Sequence, residues 1–184
     1  MRLLLFALLF SSFLHSQKFD GYVVTNANDT INCKYFVPTN PFDKKLLSVA
    51  RIDDKIEILS DKGEKIEYTT KEIKSFLIKG TKFGDLKFVS LKYDDFYRFY
   101  HEVQVGRLIF YRYYMEGSGM VVGIGFGLKD EKFVELQGPD IKQRLGELII
   151  DYPELYAKWT DGNKYYKPKH LEEVIKLYNE HFKK

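Results

Sequence analysis

The chain has 184 residues, and its 29 Lys and Arg against 26 Asp and Glu leave a formal net charge of +3. That balance, without a basic stripe, argues against nucleic acid as a partner. The single cysteine, Cys33, excludes an internal disulfide. The length suits one domain with a real core.

Residues 1–16 read as a Sec-type signal peptide. Arg2 gives a positive start, residues 3–10 are apolar, and Ser11, Ser12 and Ser16 lead into Gln17-Lys18. The apolar run is too short for a spanning helix with soluble flanks. Cleavage after Ser16 would leave residues 17–184 as a single domain carrying about +2. Leu14, three positions before the cut, is larger than the small residue usual there. No cysteine lies at the junction to carry a lipid, and no later stretch is long and apolar enough to span a bilayer. The expected location is the periplasm, the outer-membrane surface or the exterior.

In the mature part, residues 19–26 and 31–36 read as strands joined by turn chemistry at Ala27-Asn28-Asp29-Thr30. Residues 46–59 and 65–69 read as the next pair, with Gly63 at their turn. A helical turn is expected at 69–73, then strands at 76–78 and 86–91. Residues 96–115, FYRFYHEVQVGRLIFYRYYM, form the densest aromatic run and read as the central hairpin. A two-residue type II′ loop at Gly106-Arg107 would set its register. His101 then faces Arg112, Val103 faces Phe110 and Phe99 faces Tyr114 on a core face. Gln104 with Ile109, Glu102 with Tyr111, and Tyr100 with Tyr113 make a mixed face.

Residues 120–128 and 133–137 read as another hairpin. After it the hydrophobic period changes. Pro139 suits the first position of a helix bearing Ile141, Leu145, Leu148 and Ile149 on one stripe. A short helix is expected at 153–159. A third carries Leu171, Val174, Ile175, Tyr178 and Phe182 on one face. Strands followed by helices predict an α+β fold: a mainly antiparallel meander or open, barrel-like sheet (17–137) and a C-terminal group of about three short helices (138–184).

Several of these segments resemble a known group. GYVVTNANDTINCKY (21–35), KIEILSDKGEKIEYTTKEIKSF (55–76), EVQVGRLIFYRYY (102–114), DYPELYAKW (151–159) and LEEVIKLYNEHF (171–182) are similar to uncharacterised small exported proteins of Bacteroidetes, of flavobacterial type. Where that group often carries a cysteine before the proline, this chain has Tyr152. The resemblance implies export and a β-rich fold, and it implies no activity. It also singles out Asp29-Thr30-Ile31, which resembles the site at which such bacteria O-glycosylate exported proteins. Thr30 is therefore a candidate O-glycosylation site. The alternative is that Asp29 and Thr30 only shape the turn.

The chain shows no signature of catalysis. Gly123-Ile124-Gly125-Phe126-Gly127 lacks the G-x-G-x-x-G spacing and the following helix that dinucleotide binding needs. A strand that bends or packs closely explains it better. No G-x-S-x-G, H-x-x-x-H, C-x-x-C or EF-hand loop occurs. Nothing in the spacing brings His101, His170 or His181 to a serine or to Cys33, which reads as a buried, inert thiol. Asp53-Asp54 and Asp94-Asp95 read as solvated turn carboxylates. No catalytic, cofactor-binding or metal-ligating residue is therefore assigned.

Tyr100, Tyr111 and Tyr113 on the mixed face are the candidate binding surface, since tyrosine offers a ring for stacking and a polar tip. The competing use is as a surface covered by the C-terminal helices. The expected function is an exported, envelope-associated, non-enzymatic binding or structural module whose partner is an envelope protein or a glycan. The alternative is a hydrolase of envelope material with a dispersed site. The oligomeric state is left open.

Overall fold

The computed structural model describes residues 17–37, 39–40, 43–60, 62–117 and 120–183; residues 1–16, expected from the sequence as a signal peptide, lie outside them. In chain order the strands are β1 (Gln17–Thr25), β2 (Thr30–Val37), β3 (Thr39–Asn40), β4 (Asp43–Leu47), β5 (Lys55–Leu59), β6 (Lys65–Thr69), β7 (Ile73–Thr81) and β8 (Gly84–Tyr93). They continue as β9 (Phe96–Gln104), β10 (Ile109–Gly117), β11 (Met120–Lys129) and β12 (Lys132–Glu135). Three helices follow: α1 (Ile141–Ile149), α2 (Pro153–Thr160) and α3 (Leu171–His181). Ten strands form one open antiparallel sheet in the order β12-β11-β10-β9-β8-β7-β1-β2-β5-β6, with β3 and β4 as a separate pair. The fold is α+β as expected, with strands first and helices last. None of the described helices is long and apolar enough to cross a membrane.

Turn chemistry placed most strand ends correctly. Asn28 and Gly63 adopt the positive φ their turns require. Two expectations differ. Residues 46–59 do not form one strand; a single 3-10 turn at Val49–Arg51 separates β4 from β5. Pro139 precedes α1 instead of opening it, because the chain turns at Gly138 (φ 80) and the helix starts at Ile141. The mainly antiparallel, open sheet is as expected: β7 to β12 form a meander, and the β1–β2 hairpin is placed between β7 and β5.

The sheet is apolar on both faces, each in a different half. One face of the first half carries Phe19, Val23, Tyr35, Ile58, Phe76, Phe88 and Phe99, packed as one core. The strands curl around it, so that Ile56 and Ile58 of β5 share a core with Phe99 of β9. Two bonds mark where the roll nearly closes. Phe99 N–H donates to the carbonyl of Asp53 (2.8 Å), and Ser90 Oγ donates to that of Thr70 (2.6 Å). The second half curls the other way around Tyr100, Tyr111, Tyr113 and Phe126. The Phe133 ring on β12 comes within 5.2 Å of Tyr100 on β9, although β10 and β11 lie between them in the sheet.

The central hairpin departs from its expected register at its inner end. His101 faces Arg112 and Glu102 faces Tyr111, as the sequence predicts, but Gln104 faces Phe110. One extra residue of β9 is therefore bulged between Glu102 and Gln104. The loop widens to Val105–Leu108, and Gly106 does not take the positive φ of a type II′ turn. The cause is α3. Asn179 reaches the loop and pairs with Leu108 as a strand would: Leu108 N–H donates to Oδ1 (2.9 Å), and Nδ2 donates to the Leu108 carbonyl (2.8 Å). A Cβ on Gly106 would fall inside the Asn179 amide, so the glycine serves close approach.

The helices cover the outer face of β10 and β11. Gly125 and Gly127 open that face; a Cβ at Gly127 would lie 2.8 Å from Leu148, and one at Gly125 would lie 3.3 Å from Leu171. The glycine-rich strand is thus a close-packing strand, as its spacing suggests. Beneath the helices sits a polar hub. Buried Lys129 donates to the Leu148 carbonyl (2.7 Å) and to Asp151 (2.8 Å). Tyr178 Oη donates to the same carboxylate (2.8 Å), and Arg107 reaches it from the hairpin loop (2.8 Å). Burial alone would raise the Asp151 pKa, but its bonds to Lys129 and Tyr178 and the Arg107 charge outweigh burial and hold it below the usual carboxylate range. Burial would likewise lower Lys129, yet its bonds to Asp151 and Tyr178 hold it above its ordinary value.

Two variants test this. Asn179→Ala leaves both Leu108 backbone groups without their partner and should cost about 1–3 kcal/mol in urea unfolding, with the order of the sheet unchanged. Asp151→Asn leaves the Lys129 ammonium buried without a counter-charge. It should cost on the order of 2–3 kcal/mol, below the loss from a fully buried pair because Asp151 keeps some solvent contact, and thermal unfolding would show it.

Candidate functional site

The three tyrosines expected as a binding surface are core residues. Tyr100, Tyr111 and Tyr113 are 1%, 3% and 7% exposed. Tyr100 packs edge-on to Phe126 and Phe133, both on the strands that curl over it. Neither expected use holds, since β11 and β12 cover the rings where helices were expected. The expected mixed face is thus as deeply buried as its opposite. Burial pushes the Tyr100 and Tyr111 hydroxyls up to about 12. Tyr113 Oη donates to Asp53 Oδ1 (3.0 Å), and the Arg98 guanidinium lies 4.9 Å from its ring centre. Asp53 is accordingly more than a solvated turn carboxylate, for its side chain and carbonyl tie the segment before β5 to β10 and β9.

The structure keeps the histidines apart. His101 sits on β9, with Nδ1 3.1 Å from Tyr114 Oη and its ring 5.3 Å from Phe88. Burial, and then the Arg112 charge, lower its pKa to about 4. His170 Nδ1 accepts the Lys167 N–H, and His181 stacks on Tyr152 at 3.8 Å. Cys33 is buried on β2, separated from β9 by β1, β7 and β8. Among the described residues no three His, Cys, Asp or Glu side chains converge as a metal site. Thr30 is exposed at the first position of β2, beside the turn that Asn28 and Asp29 make.

What the long aromatic run leaves in solvent is its ends. Tyr97 walls an open depression of about 400 Å³ with Asn26, Thr70, Lys71, Lys74 and Ser90 around it. At the other end, β10 and β11 run on beyond the strands beside them. β9 pairs with β10 only from Phe110 to Arg112, and β12 pairs with β11 only from Phe126 to Lys129. The remainder, in which Tyr113 to Gly117 pair with Ile124 to Met120, is a two-stranded arm. Met115, Met120, Val121 and Val122 on it are 42%, 69%, 50% and 41% exposed. By pleat alternation Met115, Met120 and Val122 share one face. The signal in the sequence was Met120-Val121-Val122, a strand end with no polar residue on either face. Such an arm suits contact with another macromolecule.

Compared with family models, curated proteins and solved structures, the chain matches none.

The His101 environment carries a pH prediction. The folded ring titrates near 4, whereas the unfolded ring titrates near its ordinary 6.5. Between these values the unfolded chain holds more protons, so stability is lost as pH falls from 6.5 toward 4. His101→Phe should remove this component, about 1–3 kcal/mol after allowance for the ring's residual solvent contact. The Tm difference between variant and parent should therefore shift in the variant's favour across that window and stay constant above pH 7.

Proposed function

We propose that the chain is an exported, envelope-associated binding or structural module without enzymatic activity, and that it works by protein–protein contact through the β10–β11 arm. The observation that carries this reading is the far end of the arm, where Met115, Met120, Val121 and Val122 are exposed to solvent. Soluble monomers rarely leave a contiguous apolar surface uncovered without an interaction to serve. Export is supported by the composition of residues 1–16 and by the resemblance to small exported proteins of Bacteroidetes.

A second reading rests on the Tyr97 depression. An exposed ring beside Asn26, Thr70 and Ser90 offers the mixture of stacking and hydrogen bonding that a glycan needs, and Lys71 and Lys74 would favour an acidic one. Thr30, exposed beside a turn, remains the candidate for O-glycosylation in this reading of the envelope.

The two contacts separate by mutation. The Met120→Ser/Val122→Ser arm variant should lose its protein cross-links in the producing organism, to a second copy as to any other envelope protein, and keep its fold by circular dichroism. Tyr97→Ala should leave that cross-linking intact. Cross-linking that survives in the arm variant and is lost with Tyr97→Ala would overturn the arm assignment in favour of the depression.

A further inference from the structure

Resting on the arm reading above, we infer that the partner of the arm is a second copy of this chain, joined edge to edge along β11 into a continuous sheet.

The backbone sets the geometry. Leu136 N–H donates to the Gly125 carbonyl from the side of β11 away from β10 (2.7 Å). By strand alternation the N–H and C=O of Gly123 and Val121 point to that same side. Among the described residues neither position has a backbone partner there. On the β10 side the turn at Val49–Arg51 packs against the strand, and Asp53 receives the Tyr113 hydroxyl. One edge of the arm is therefore open, and it belongs to β11.

The side chains favour a copy of the same strand as the occupant. The outermost strands of the sheet carry charge along their length: Lys65 and Glu67 on β6, and Lys132 and Glu135 on β12. Charged edges resist pairing. Met120-Val121-Val122-Gly123-Ile124 carries none, so a foreign charged partner finds nothing to grip and a second copy meets no like charge. The segment is also complementary to itself. In an antiparallel pairing centred on Val122, Val121 of each copy lies opposite Gly123 of the other, bulk against space. These two pairs exchange four backbone hydrogen bonds. Met120 lies opposite Ile124, and Val122 meets its own copy as a pair that exchanges no backbone bond, the close kind with Cα atoms about 4.5 Å apart.

The test uses the mature chain. Analytical ultracentrifugation from micromolar to sub-millimolar concentration should show the mass of two chains for the parent and of one chain for Val121→Pro. That substitution removes only an N–H directed outward from β11, where an edge strand tolerates proline. Val122→Lys, which sets two like charges face to face, should also be monomeric and supplies a second route should the proline variant fail to fold. In a Cys33→Ala background, Val122→Cys should form an interchain disulfide on mild oxidation, since its Cα separation falls within the roughly 4.4–6.8 Å window. Met115→Cys, on the inner strand, should not. A parent that stays monomeric at every concentration, or equal cross-linking of both cysteine variants, would overturn the inference. Should the parent be monomeric while Val121→Pro loses its envelope cross-links, the arm reading survives and the partner is another protein. Should neither change, both fail.

Discussion

The fold depends on β8 and β9 having to be apolar on both sides. Phe88 and Phe99 face the first core, while Val89 and Tyr100, their neighbours in sequence, face the second. A flat sheet could cover only one face of this pair with strands. The chain instead curls the first half of the sheet toward one face and the second half toward the other, so the middle strands serve two cores. A strand buried on both faces loses the usual polar alternation. That is why residues 96–114 hold so many rings, and why the run reads as a ligand platform from the sequence alone.

The helices solve what curling leaves unsolved. Once β10 and β11 turn their aromatic face inward, their outer face, with Phe110 and Leu108, lies bare. Glycine at 125 and 127 lets α1 and α3 approach closely, and Lys129, Asp151, Tyr178 and Arg107 fix where they sit. Charge buried in this way gains little net stability over well-packed apolar residues. Its geometric demand is strict, however, because Asp151 at the α1–α2 junction must meet a strand, a helix and the hairpin loop together. Arg112 bonding to Glu172 and Gln104 to the Glu172 carbonyl tie the first turn of α3 to the same hairpin.

The limits of the sequence reading follow from where its information lies. Local periodicity and turn residues predicted the strands and helices well, because Asn28, Gly63 and the stripe from Leu171 to Phe182 act through neighbours in the chain. The register at Gln104 was beyond such reasoning, since Asn179, far along the chain, widens the loop. Alternation correctly sorted Tyr100, Tyr111 and Tyr113 onto one face. It could not tell what covers that face, because coverage depends on how strands bend as a set. The arm was legible only as an absence of alternation at residues 120–122, a pattern that buried strands also show.

That ambiguity is resolved by what each residue touches. Ile124 packs at the margin of the aromatic core, whereas Met115, Met120, Val121 and Val122 belong to none of the three cores of described residues. Nothing in the folding of one chain requires them to be apolar. Threonine shares the β-branched shape that suits a strand and would lessen the aggregation hazard of an open, uncharged strand edge. An isolated two-stranded ribbon is marginal in water, and added strands or a covered face stabilise it. The exposed apolar side chains, the open backbone edge and the missing charge each cost the lone chain something, and all three become favourable at once when a strand is laid along β11.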